Sequence, residues 1–96
     1  MSFTPATQAA TVTAVACSTT VATLLAAGTT ARRMVLITNA TASSILYIKF
    51  GPNASSTDFT VRLAAGGYYE MPAPIYGGVI TGILDTGTGN AQITTY

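Results

Sequence analysis

Residues 34–50 read MVLITNATASSILYIKF, and this stretch carries the strongest indication of the fold class. Its two ends, Met34–Asn39 and Ile45–Phe50, are short runs of mainly β-branched, apolar and aromatic residues, a composition typical of buried strands. The residues between them are Ala, Thr and Ser, which favour a turn. We therefore predict a hairpin of two buried strands.

Short strand-like runs continue on both sides of this stretch. Residues 11–16 alternate, with Val12, Ala14 and Ala16 on one face and Thr11, Thr13 and Val15 on the other. Further runs follow at Val21–Leu25, Phe59–Leu63, Tyr68–Met71, Val79–Leu84 and Ala91–Tyr96. Period-two alternation between Gly-, Pro- and Asn-containing turns indicates strands rather than helices.

Two prolines and one glycine qualify this pattern. Pro72 and Pro74 follow the run Tyr68–Met71, and proline cannot donate to a sheet ladder, so we expect this strand at an edge or rim. Gly82 lies inside the run Val79–Leu84, where it indicates a bulge or a close approach of another part of the chain.

The strand spacing predicts an all-β protein, either a small antiparallel β-sandwich or a jelly-roll-like barrel of about seven or eight short strands. We expect residues 11–96 to form a single β domain, because a chain of 96 residues has no room for a second core. Residues 1–10 include Pro5 and show no pattern in their first part, so we expect an extended N-terminal arm.

Charge is scarce in this chain. Asp, Glu, Lys and Arg make up 7% of it, with a net charge of +1, whereas an ordinary soluble domain has about 25% charged residues. Cys17 is the single cysteine, so no disulfide within the chain can support this small core. We therefore expect a homo-oligomer or a domain that docks on a larger partner.

The sequence offers little for catalysis or for a bound cofactor. Histidine is absent, and one thiol cannot make a Cys/His metal site, so we predict no metal, no cofactor and no enzymatic activity. Asp58, Glu70 and Asp85 fall at loops or strand ends, where solvated turn residues are the simpler interpretation. Four basic residues do not form the dense patch typical of nucleic-acid binding, so we predict no nucleic-acid partner.

A membrane or export segment is also not expected. Ala9–Gly28 is apolar and alanine-rich, and the residues before Cys17 resemble a lipoprotein cleavage site. However, Lys and Arg do not precede Arg32, and Thr and Ser interrupt the stretch repeatedly. We therefore expect synthesis in the cytoplasm and no membrane partner.

A family resemblance lies in residues 31–91. Its features are Ala31-Arg32-Arg33, the segments Leu46–Gly51 and Asp58–Leu63, the box GGYYEMP at residues 66–72, and Gly87–Ala91. In this order they resemble a group of small virion proteins of tailed bacteriophages. The box is the most specific element, and the first third of the chain lies outside the resemblance.

The resemblance implies a structural role in a phage particle, without catalytic residues. We expect a capsid decoration, or cement, protein on the capsid surface that binds and stabilises the shell of major capsid protein, with a trimer favoured among homo-oligomers. One alternative is a tail, baseplate or head–tail joining protein. Another is a carbohydrate- or receptor-binding module.

The candidate contact residues fall in two zones. One is the Arg32-Arg33 turn, and the other is the rim from Tyr68 to Tyr76, which includes Tyr69. Tyrosine is common at interface centres but also in sandwich cores, so both interpretations of the rim stay open. In the carbohydrate-binding alternative, Tyr68, Tyr69 and Tyr76 would form an aromatic platform.

Overall fold

The computed structural model describes residues 9–28 and 33–96, which form eight β-strands and no helix. The strands are β1 (Thr11–Cys17), β2 (Ala22–Leu25), β3 (Val35–Asn39), β4 (Leu46–Phe50), β5 (Val61–Leu63), β6 (Tyr68–Glu70), β7 (Ile80–Leu84) and β8 (Gly89–Thr95). The predicted all-β class is confirmed. Most of the predicted N-terminal arm lies outside the described residues.

Two four-stranded sheets face each other in a small antiparallel β-sandwich. Sheet A has the strand order β1-β8-β3-β6, and sheet B has the order β2-β7-β4-β5. The pairs β1–β8, β2–β7, β3–β6 and β4–β5 are those of one long antiparallel ribbon folded in the middle. Rolling this ribbon brings β8 beside β3 and β7 beside β4, which is the jelly-roll arrangement.

The predicted hairpin of residues 34–50 is wrong in its pairing. Both of its strands exist, but β3 belongs to sheet A and β4 to sheet B. The two strands are buried because their inner faces pack across the sandwich, with Ile37 and Ile48 both at 0% exposure. Residues 40–45 are therefore a crossover between sheets rather than a hairpin turn.

Alternation decides which side chains enter the core. In β3 the burial pattern alternates strictly, with Val35, Ile37 and Asn39 buried. Ile80 of sheet B and Ile93 of sheet A are also almost fully buried. The apolar residues of this set, Val35, Ile37, Ile80 and Ile93, belong to one hydrophobic layer between the sheets.

Asn39 holds the crossover in place from within the buried layer. Its Nδ2 donates to the carbonyl oxygens of Ser44 at 2.9 Å and Leu63 at 3.0 Å. Its Oδ1 accepts from Thr41, at 3.1 Å from the backbone N and 2.7 Å from Oγ1. Because Leu63 lies in β5, the Asn39 amide links the two sheets at this end of the sandwich.

Gly82 marks a close approach, as its position in the sequence indicated. A β-carbon on Gly82 would lie 2.8 Å from Cδ1 of Leu24. The neighbouring strand β2 carries a bulge between Thr23 and Leu25, beside this position. The absence of a side chain at Gly82 therefore leaves room for the Leu24 side chain of β2 to lie over β7.

Candidate interaction surfaces

The outer face of sheet A is nearly free of charge. The ladder registers place there the side chains of Val12, Ala14 and Ala16 from β1, Asn90, Gln92 and Thr94 from β8, Leu36 and Thr38 from β3, and Tyr68 and Glu70 from β6. We call this set the sheet-A face. Val12 is 61% exposed and Tyr68 is 69% exposed, and within this set Glu70 alone is charged.

The outer face of sheet B is different, because a loop covers part of it. The Thr81 hydroxyl donates to the Gly51 carbonyl at 2.7 Å and accepts from the Ala54 N–H at 3.1 Å, so residues 51–54 lie over β7. Thr81 is only 6% exposed, although its side chain points away from the core.

The uncovered part of that outer face is charged and aromatic. Lys49 Nζ lies 2.6 Å from Asp58 Oδ2, and the Arg62 side chain is exposed. The rings of Tyr47 and Phe59 pack with centroids 5.1 Å apart. The sheet-A face is therefore the more suitable of the two for burial against another protein, because interface centres are depleted in charged residues.

The three tyrosines of the predicted rim do not share one face. Tyr68 and Tyr69 are consecutive in β6, so Tyr68 points outward from sheet A and Tyr69 points inward. Tyr69 packs against Phe50 with ring centroids 6.0 Å apart. Tyr76 stacks on the same Phe50 ring, with centroids 5.5 Å apart and an interplanar angle of 9°. Of the three, Tyr68 offers the exposed ring.

Arg33 lies at the end of the sandwich where β3 begins. Its backbone N–H donates to the Tyr96 carbonyl at 2.8 Å, and the residue is exposed.

The Met71 N–H donates to the Val35 carbonyl at 3.0 Å, so the segment that leaves β6 toward Tyr76 starts at the same end. Arg33 and Tyr76 are therefore at one end of the domain, whereas Tyr68 lies opposite Thr38 near the other end of β3. Arg32 lies outside the described residues.

Cys17 is buried at the other end of the sandwich. Its Sγ lies 3.5 Å from the Val15 carbonyl oxygen, and the residue is 3% exposed. Burial raises the pKa of the Cys17 thiol, and a backbone hydrogen bond from Ala91 opposes this shift only in part. The neutral thiol is therefore favoured at neutral pH, as in a small core residue.

A shallow cleft opens beside Cys17. It has a volume of about 400 Å³ and is lined by Ala16, Cys17, Ser18, Thr88, Gly89 and Asn90. The lining carries no ionisable side chain other than the buried thiol, so the cleft offers hydroxyl, amide and backbone groups to whatever contacts it.

Across residues 9–28 and 33–96, His, Cys, Asp and Glu do not gather in groups of three or more that could hold a metal ion. Within the same ranges, no helix is long and apolar enough to cross a membrane.

Comparison with known proteins found no matching family model, no matching curated protein and no matching solved structure.

Proposed function

We propose that this chain is a structural protein of a tailed-phage virion, and specifically a capsid decoration protein that binds and stabilises the shell of major capsid protein. The observation that carries the proposal is the contrast between the two faces of the sandwich. The outer face of sheet B carries the covering loop of residues 51–54 and the Lys49–Asp58 ion pair. The sheet-A face instead has Val12 and Tyr68 well exposed and one charged residue.

The physical reason concerns the cost of burying charge. A decoration protein covers part of a shell for the lifetime of the particle, so its contact surface must lose water permanently. Removing water from ionic groups is costly unless each finds a partner, and the sheet-A face, with Glu70 as its one such group, limits this cost. The exposed Tyr68 ring supplies the apolar area that interface centres favour.

The composition and one motif of the sequence support the same role. A charged content of 7% suits a protein whose surface is largely covered in an assembly. The box GGYYEMP at residues 66–72, with its resemblance to small phage virion proteins, contains Tyr68 and Glu70 of the sheet-A face. The jelly-roll fold by itself does not select a function.

The copy number in purified particles tests the proposal directly. We expect quantitative mass spectrometry to find hundreds of copies, in a simple ratio to the major capsid protein. A dozen copies or fewer would instead assign the protein to the tail, the baseplate or the head–tail joint. Absence from the particle would overturn the virion role altogether.

The tyrosines provide a residue-level prediction. We expect Tyr68→Ala to weaken binding to capsids lacking the protein by about tenfold or more, with the free energy of unfolding changed by less than about 0.5 kcal/mol. Tyr76→Ala removes a ring stacked on Phe50, so we expect it to lower that free energy by about 1–2 kcal/mol. Co-sedimentation with capsids and urea unfolding measure the two quantities.

Phe59→Ala is the matched control, because Phe59 is an aromatic residue 41% exposed beside the outer face of sheet B. Its loss is expected to leave capsid binding unchanged. Weaker binding in Phe59→Ala, together with normal binding in Tyr68→Ala, would move the contact to sheet B.

A further inference from the structure

The sandwich has four sheet edges, and three of them are protected against pairing with another chain. The strand β5 has three residues and carries Arg62. The strand β6 also has three residues, carries Glu70 and is followed by Pro72. The strand β2 is interrupted by its bulge. Short length, charge, proline and bulges are the features that keep natural edge strands from pairing.

The fourth edge, β1, has none of these protections. It is seven residues long, contains neither charge nor proline, and keeps a continuous register with β8 from Thr11 to Cys17. Among the described strands, none pairs with its outer side. A long, regular and uncharged edge of this kind is a template for an added strand.

The backbone directions show which groups β1 offers at this edge. The Ala40 N–H donates to the Asn90 carbonyl, and the Met34 N–H donates to the Tyr96 carbonyl. The backbone N–H and C=O groups of the even-numbered residues of β8 therefore point toward β3. Along a strand, the backbone N–H and C=O groups of successive residues point to opposite neighbouring strands. Those of the odd-numbered residues Ala91 and Ile93 therefore point toward β1.

In β1, Val15 lies opposite Ala91 and Thr13 lies opposite Ile93. The backbone groups of Val15 and Thr13 therefore point toward β8. By the same alternation, the N–H and C=O groups of Val12, Ala14 and Ala16 point to the free edge. Each of the three residues therefore presents one donor and one acceptor.

We propose that β1 pairs with β1 of a second copy of this chain, antiparallel about a two-fold axis at Ala14. This register places Ala14 opposite Ala14 of the partner subunit, and Val12 opposite the partner's Ala16. All of the edge-facing N–H and C=O groups then find partners, because each hydrogen-bonded antiparallel pair exchanges two hydrogen bonds.

The side chains at this edge suit a second copy. Val12, Ala14 and Ala16 all lie on the sheet-A face and are exposed. In the proposed register Val12 meets the small side chain of the partner's Ala16, and two methyl groups face each other at the axis. β1 contains no charged residue, so like charges do not meet across the axis.

The cleft beside Cys17 supports the same partner. In the proposed register, Ser18 lies opposite Ala10 of the partner subunit, so the partner's chain approaches β1 next to the cleft lined by residues 16–18 and 88–90. Each subunit supplies both an entering chain and a cleft, which makes the contact reciprocal.

Pairing through β1 concerns self-association alone and goes beyond the proposed function. It can therefore be correct or wrong whether or not the protein belongs to a virion. It predicts a two-fold dimer with a continuous eight-stranded sheet, and not the trimer that the family resemblance implies. The dimer would join two copies of the sheet-A face into one larger surface.

Site-specific cross-linking tests the register. Hydrogen-bonded antiparallel pairs have Cα atoms about 5.5 Å apart, within the range of about 4.4–6.8 Å that a disulfide bridges. In a Cys17→Ala background, Ala14→Cys is therefore expected to give a covalent dimer on mild oxidation. Ala42→Cys, on the exposed crossover between β3 and β4, is the control and is expected to stay monomeric on a denaturing gel.

Analytical ultracentrifugation over a range of concentrations tests the association itself. We expect a monomer–dimer equilibrium in the native chain and association at least about tenfold weaker in Ala14→Pro, which removes the N–H at the axis and none used by β8. A native chain that stays monomeric at its highest soluble concentration, or a trimer unaffected by Ala14→Pro, would overturn the proposal. If Ala14→Pro does not fold, equal cross-linking of Ala14→Cys and Ala42→Cys would overturn it independently.

Discussion

Replacing Asn39 with alanine is expected to lower the free energy of unfolding by about 3 kcal/mol or more. The side chain is fully buried and makes four hydrogen bonds, two donated and two accepted. Its loss leaves the Leu63 carbonyl and the Thr41 N–H without the partner that Asn39 supplies at a buried end of the sandwich. Urea unfolding followed by tyrosine fluorescence measures the change.

The matched control is Asn90→Ala. Asn90 is exposed on β8, so we expect a change of less than about 0.5 kcal/mol. Equal losses in the two variants would show that the Asn39 amide does not hold the crossover. A loss of about 3 kcal/mol is a large fraction of the free energy of unfolding of a typical domain, which is about 5–15 kcal/mol.

Replacing Ile48 with alanine is the second large change, with an expected loss of about 3 kcal/mol. Ile48 lies at the centre of β4, points into the layer between the sheets and has 0% exposure. Removing three carbon atoms there leaves a cavity that the surrounding strands can close only in part. Thermal and urea unfolding both measure the loss.

Ile83→Ala tests whether the direction of the side chain is the cause. Ile83 is the same residue type in the adjacent strand β7, but it is half-buried on the outer side of sheet B. We expect it to lower the free energy of unfolding by about 1 kcal/mol or less. A larger loss in Ile83→Ala than in Ile48→Ala would mean that the inner and outer faces of sheet B are reversed.

The strand positions could be predicted because they depend on neighbouring residues. Alternation in residues 11–16 and apolar runs such as Val79–Leu84 correspond closely to β1 and β7. The prolines after Tyr68–Met71 correctly placed β6 at an edge, and Gly82 correctly indicated a close approach. Each of these signals is local, so the chain fold is not needed to interpret it.

The pairing of strands could not be predicted in the same way. Met34–Phe50 has the pattern of a hairpin, yet β3 and β4 lie in opposite sheets. Two consecutive buried strands can either pair side by side or pack face to face, and both arrangements bury the same apolar residues. The difference depends on β6, β7 and β8, which follow much later in the sequence and which pair with these strands.

The candidate surface, too, was predictable from the sequence only in part. The sequence predicts tyrosines at a contact zone, but only the sheet register separates exposed Tyr68 from inward-pointing Tyr69. Phe59 was predicted in a strand with Val61 and Leu63, whereas it precedes β5 and packs on Tyr47. Nothing near Phe59 in the sequence indicates Tyr47, because Tyr47 lies in β4 whereas Phe59 lies in the loop before β5.

By itself, the sequence determined that the protein is all-β, where its strands lie, and that its surface is poor in charge. These properties follow from residue types and their period, which act over a few neighbouring positions. The tertiary structure alone decided which strands pair, which side chains lie on the outer face of sheet A, and that none of the described strands pairs with the outer side of β1. Those properties depend on contacts between residues far apart in the chain, and local sequence cannot rank contacts that bury the same side chains in different arrangements.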